Sequence, residues 1–271
     1  RRCRRIFRTL PAISLSAIIR SPFSNSKSVS LLEGDRRYKY LDTFITLFVV
    51  VLVISNIIAG KFFAMGTLRV STAQMLFPLT YIFGDIFTEV YGYSASRRAI
   101  WYGFFSAFLL AGLSYLAVII PPAPEYTDQA AFATIFLQAG RIVAASLLAY
   151  WCGEFANSFT LAKLKLLTGG KYLWTRTIGS TIVGQAVDTS VVMFAAFYGT
   201  RPVGVILKLI ISGYLIKVVY ETLMTPVTYA VVNFLKRSEG VDYFDRATNF
   251  NPFATEVANS GRPAVEEVSQ E

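Results

Sequence analysis

Between residues 41 and 235 the chain runs through six apolar windows, at roughly 41–63, 73–91, 100–120, 131–157, 178–199 and 204–235. An α-helix needs about 20 mainly apolar residues to cross the hydrocarbon core of a bilayer. Each window has the length for that task, and the joints between them leave no room for a soluble domain. Composition agrees: 54% of the residues are hydrophobic, 16% are charged and the mean hydropathy is +0.49. The expected fold is all-α, an integral membrane bundle of six transmembrane helices over residues 41–237. A basic, Ser-rich extension (1–40) precedes it and a polar tail (238–271) follows, and both are expected to be disordered.

Loop charge sets the expected orientation. Ten of the 26 Lys and Arg lie in residues 1–40, before the first window. Arg97 and Arg98 follow the second, and Lys163, Lys165, Lys171 and Arg176 lie between the fourth and fifth. The alternate loops are poor in them, the Pro121–Gln129 loop having none. The positive-inside rule then places both termini in the cytoplasm. The net charge of +9 is accounted for by orientation and contact with anionic lipid, and no folded basic domain exists to bind nucleic acid. The first 30 residues carry no acid, six Arg, one Lys and seven Ser. That composition suits an organellar transit peptide, a cytoplasmic extension, or upstream sequence outside the native protein.

Absences narrow the chemistry. The chain has no His, which removes Ser-His dyads, haem ligation and most zinc sites. Cys3 and Cys152 are too differently placed to pair, and no phosphate-binding G-x-x-x-x-G-K-[ST] string occurs. No cofactor and no metal site is expected, and the residues argue against an enzyme.

The informative residues are polar ones inside the apolar windows. Asp85 and Glu89 sit four apart in the second, so they share a helical face with Thr88. An ionised side chain at bilayer depth costs roughly 2.5–3.5 kcal/mol on insertion scales, so such a face looks into protein or water. The fourth window adds Arg141, Ser146, Tyr150, Glu154, Asn157 and Ser158; the fifth adds Thr181, Gln185 and Asp188 on one face. Ser180 and Gly184 form a small-xxx-small pair for close helix packing. The sixth carries Lys217 and Glu221, spaced to neutralise each other, whereas Gly103, Ala107 and Ala111 in the third suggest packing. By helix rise, Asp85, Arg141, Asp188 and Lys217 fall near the midplane and Glu89, Glu154 and Glu221 nearer the cytoplasm. Two readings fit the central charges: a polar binding pocket, or acids and bases that merely compensate one another. Buried pairs stabilise poorly compared with apolar packing, which favours the pocket.

These residues also carry a resemblance. The strings G-D-I-F-T-E-V-Y-G-Y (Gly84–Tyr93) and S-R-R-A-I-W (Ser96–Trp101) resemble the signature of the queuosine precursor transporter family. So do R-I-V-A-A-S-L-L-A-Y (Arg141–Tyr150), G-E-F-A-N-S (Gly153–Ser158) and R-T-I-G-S-T-I-V-G-Q-A-V-D-T (Arg176–Thr189). S-N-I-I-A-G-K (Ser55–Lys61) and Y-L-I-K-V-V-Y-E (Tyr214–Glu221) fit as well, so the likeness covers about residues 40–237. It implies an inner-membrane importer of 7-cyano- or 7-aminomethyl-7-deazaguanine, whose partners are that small molecule and the bilayer. Candidate substrate-binding residues are Asp85, Glu89, Arg141, Glu154, Asn157, Gln185, Asp188 and Lys217. Two alternatives stand beside it: a substrate-binding subunit of an energy-coupling-factor vitamin importer, which needs an ATPase module, and a non-catalytic membrane assembly protein.

Overall fold

The computed structural model describes residues 38–59, 61–65, 68–136, 140–246 and 248–254. The extension through residue 37 and the tail from residue 255 lie outside the described residues. The rest is one helical bundle.

Helix α1 (Leu41–Ile58) buries the stripe Leu41, Ile45, Phe48, Leu52 and Ser55 at three- and four-residue spacing. Its other face exposes Leu47, Val50, Ile54 and Ile57, the division expected where the outer surface meets lipid. The helix stops five residues short of the expected window. Strands β1 (Phe62–Met65) and β2 (Leu68–Ser71) follow as an antiparallel pair with Phe62 opposite Ser71. The pair is pinned to the end of α1 by Ser71 Oγ on the Ala59 carbonyl (2.7 Å) and by the Thr72 hydroxyl on that of Ile58.

Helix α2 (Ala73–Ile86) continues as a π turn, Phe87–Tyr91. Together they supply the second expected crossing, in 19 helical residues. Gly92 then reverses the chain at φ +84°, with the Tyr243 ring lying where a Cβ would sit. Only glycine meets both demands. Helix α3 (Tyr93–Ile119) leads back, and after a short α4 (Gln129–Phe136) come α5 (Gly140–Leu167), α6 (Leu173–Phe197) and α7 (Val203–Glu239). Five helical stretches of the described residues, the α4–α5 stretch counted as one, are long and apolar enough to cross a membrane. The π turn breaks the sixth, which is why length alone misses it.

Small residues bring α5 and α6 together. A Cβ on Gly184 would lie 2.7 Å from the Asn157 Cβ and 3.2 Å from the Gly153 carbonyl oxygen. One on Gly153 would lie 2.7 Å from both the Asp188 Cβ and the Tyr81 hydroxyl. Close backbone approach of this kind seats the polar side chains of both helices against α2.

The segment after α7 differs from the disordered tail expected from sequence. Residues 241–246 and 248–254 lie as a strap across the end of the bundle where α2 turns into α3. Asp245 receives the Tyr93 amide (3.0 and 3.2 Å), capping α3. Trp101 Nε1 donates to the Pro252 carbonyl at 2.9 Å, and Phe253 packs on Trp101 and Trp151. Polar composition predicts a solvated tail only while nothing on the bundle donates to its backbone carbonyls. Here Arg97 and Trp101 do that.

Candidate functional site: a chamber of buried carboxylates

Two groups of buried charge lie along the axis of the bundle, and their internal chemistry is opposite. The first surrounds Glu89, on the π turn and fully buried. Arg176 grips its carboxylate with Nε at 2.7 Å and Nη2 at 2.6 Å, a two-pronged charge-assisted pair. Lys236 Nζ adds 2.5 Å to one oxygen, and Lys165 Nζ stands 3.5 Å away while also reaching the Glu89 carbonyl. Asp242 of the strap bridges Lys165 (2.5 Å) and Lys236 (2.9 Å). Burial opposes the charge on Asp242, yet the two lysines hold its carboxyl below the usual carboxylate range. This clasp ties α2, α5, α6, α7 and the strap at one end.

The second group lies deeper, between α2, α5, α6 and α7. Asp85 accepts Asn157 Nδ2 at 2.8 Å, with the Ser180 hydroxyl at 3.4 Å. Glu221 accepts Gln185 Nε2 at 3.2 Å. Glu154 is fully buried and neither of its oxygens has a hydrogen-bond partner. The nearby Thr80 hydroxyl is spent on the Phe77 carbonyl at 2.6 Å. The Tyr81 hydroxyl, Asn157 Oδ1, Gln185 Oε1, Thr189 Oγ1 and Glu221 Oε1 are buried and partnerless too. Buried polar groups in folded proteins are nearly always paired, so this many orphans in one place marks a site held ready for something.

Above the chamber, towards the end of the bundle away from the clasp, lies a cavity of about 290 Å³. The last turn of α1, the first of α2, α3 and the start of α5 wall it, with Phe77, Tyr150 and the Asp188–Lys217 pair at its base. Lys217 Nζ is 2.5 Å from Asp188 Oδ2 and 5.3 Å from the centre of the Phe77 ring.

Of the eight candidate residues, the structure brings Asp85, Glu154, Asn157 and Gln185 into the chamber and Asp188 and Lys217 to the cavity base. Glu89 belongs to the clasp and is fully buried. Arg141 is elsewhere: exposed at the start of α5, it donates to the Ala195 (2.8 Å) and Tyr198 (2.5 Å) carbonyls and caps α6. Lys217 turns to Asp188 of α6 rather than to Glu221 on its own helix, which leaves Glu221 to Gln185. Sequence reading missed the role of Arg176, Lys165 and Lys236, because each counts equally well as an orientation charge. The one available signal was Glu89 itself, an acid needing a cation with none on its own helix. Of the arginine pair after α2, Arg97 is buried and holds the Asn249 and Asn251 carbonyls at 3.0 Å, whereas Arg98 is 3.4 Å from exposed Asp42.

Apolar helices around a polar interior with an open cavity define a multi-pass membrane transporter. Residues 71–231 match the family model described as "Putative vitamin uptake transporter", and the chain belongs to that family. It is 28% identical over 188 residues to the "Probable queuosine precursor transporter" of Bacillus subtilis (strain 168), covering 69% of this chain and 82% of that one. No solved structure matches it.

Proposed function

We propose that this transporter imports queuosine precursors, the 7-cyano- or 7-aminomethyl-7-deazaguanines, across the inner membrane with both termini in the cytoplasm. The observation that carries the reading is the Asp188–Lys217 pair under an aromatic-walled cavity. A deazaguanine edge offers a ring N–H and an exocyclic amine side by side, with a carbonyl next to them. A carboxylate accepts the two donors together and the neighbouring ammonium meets the carbonyl, while Phe77 and Tyr150 offer surfaces to the flat ring. The cavity volume of about 290 Å³ sits at the lower end of small-ligand pockets, which suits a bicyclic base without its ribose. The printed name of the Bacillus relative supports the same substrate class.

Loop charge supports a cavity open to the outside. The clasp end then faces the cytoplasm, where Arg176, Lys165, Lys236 and the strap close the path. The test is uptake of labelled deazaguanine by cells that cannot make it. Wild-type chain alone should restore uptake, and Asp188→Asn should reach the membrane yet lose it at least tenfold. Normal uptake by Asp188→Asn overturns the site. Uptake that appears only when an ATPase module is supplied would replace the solitary carrier with the energy-coupling-factor reading.

A further inference from the structure

The chamber lies one helical turn beyond the cavity on each wall. Glu154 is four residues past Tyr150, Glu221 four past Lys217, and Gln185 three before Asp188, so each chamber residue shares a helical face with a cavity residue. The cavity itself stops short of Glu154, Glu221 and Asp85, none of which lines it. Resting on the import reading above, we propose that Glu154 and Glu221 form an exchangeable proton site, distinct from the substrate pair, which links transport to proton entry.

The donor and acceptor count supports it. Glu154 Oε1 and Oε2, Glu221 Oε1, Asn157 Oδ1 and Gln185 Oε1 are buried acceptors with no donor. Asn157 Nδ2 and Gln185 Nε2 are turned to Asp85 and Glu221, and the unspent Tyr81 and Thr189 hydroxyls make no hydrogen bond to Glu154. Among the described residues no three acids converge closely enough to hold a metal ion. The group that turns a partnerless carboxylate oxygen into a donor without occupying space is a proton, which also removes the cost of burying an unpaired charge.

Among the described residues, the titratable groups that face the pair come from four helices. Helix α2 presents Tyr81 and Asp85, with Glu89 beyond it in the clasp. Helix α5 adds Tyr150 behind Glu154, α6 adds Asp188, and α7 adds Lys217. Lys217 carries the one ammonium among them outside the clasp, and it stands on the same face of α7 as Glu221, four residues away. With Lys217 on Asp188, as here, Glu154 and Glu221 keep their proton. When the bundle opens inward and that pair parts, Lys217 moves to Glu221 and the proton leaves a carboxyl oxygen for water on the cytoplasmic side. Return to the outward state reloads the carboxyl from outside. One proton enters per cycle and no other bond changes.

The experiment uses the full chain in liposomes, measuring the ratio of deazaguanine accumulated with an inward proton gradient to that without one. One proton per substrate sets a ceiling of about tenfold for each unit of gradient. Wild-type chain should reach severalfold, and Glu154→Gln and Glu221→Gln should each fall to a ratio of one. A wild-type ratio of one, or variants that keep the wild-type ratio, overturns the proton site while leaving the import reading intact. Absence of any deazaguanine flux sinks the import reading instead. An infrared spectrum of the purified protein then still decides the proton site. Wild type should show the carbonyl stretch of a buried protonated carboxyl, and Glu154→Gln should lose part of it. An unchanged band in both variants overturns the proposal.

Discussion

Glu89 and Glu154 are both fully buried acids in the same bundle, and they live in opposite surroundings. Glu89 is held by Arg176, Lys236 and Lys165 and has no orphan oxygen, whereas Glu154 has no donor at all. A buried charge that is fully paired is a fastening: removing either side strands the other. A buried carboxyl that is unpaired contributes nothing to stability and persists only where something else requires it. The same residue type in two surroundings thus separates what holds the carrier together from what it works with.

That contrast predicts the largest effect. Glu89→Gln leaves the guanidinium of Arg176 and two ammonium groups around a neutral amide, and breaking a buried pair from one side typically costs about 3–5 kcal/mol. Glu154→Gln removes an unsatisfied carboxyl and replaces it with a similar shape, so stability should shift by less than about 1 kcal/mol in either direction. Thermal unfolding in detergent compares the two directly. If Glu89→Gln is as stable as wild type, the clasp is not structural, and if Glu154→Gln unfolds the protein, the chamber is not a site held against stability.

Much of this was legible in the sequence and some of it could not be. Apolar windows gave five of the spans in outline because hydrophobic length is a local property. The second span was read correctly in extent, but its π turn was invisible, since Phe87–Tyr91 carries no Gly or Pro to mark a break in the helical pattern. The break after Ile58 was missed because Phe62 and Phe63 are as apolar in a strand as in a helix. Polar residues buried in the windows pointed to Asp85 and Glu154, as hydrocarbon tolerates them nowhere else, whereas Glu221 reads from sequence as the neutralising partner of Lys217. Arg141 failed the same argument because it lies only two residues into α5, where a carbonyl row on the end of α6 takes it. Lys165 and Lys236 were hidden by the rule that oriented the chain: a cation at a helix end has the same signature whether it meets lipid, water or a buried acid.

The next effect in size tests whether the strap belongs with the clasp. Arg97→Gln gives up two charge-assisted bonds to strap carbonyls, worth about 1–3 kcal/mol, and should release residues 248–254 to protease. Arg98→Gln loses a pair with exposed Asp42 at 3.4 Å and should leave residues 248–254 as protected from protease as in wild type. Equal protease resistance in wild type and Arg97→Gln would show that the Arg97 bonds do not hold this part of the strap.

The smallest effect separates two acids of the strap by the sign of their pH dependence. Asp242 sits below the usual carboxylate range; burial opposes its charge, but Lys165 and Lys236 more than compensate. Its contribution is therefore complete above the ordinary value of about 3.9 and is lost as pH falls through its lower folded value. Asp245 is the reverse: burial lifts it above that range despite hydrogen bonds from Thr248 and the Tyr93 amide. A group that binds its proton more readily when folded adds stability as pH falls through its raised value, and that gain is gone at neutrality. The unfolding temperature should thus gain slightly from Asp245 on mild acidification and lose from Asp242 only under stronger acid. Asp245→Asn should flatten the first limb and Asp242→Asn the second. Asp242→Asn should lower the curve by a constant amount between pH values of about 5 and 7; a changed slope there would mean that the carboxylate titrates in that range and the lysines do not hold it, and the clasp would end at Glu89.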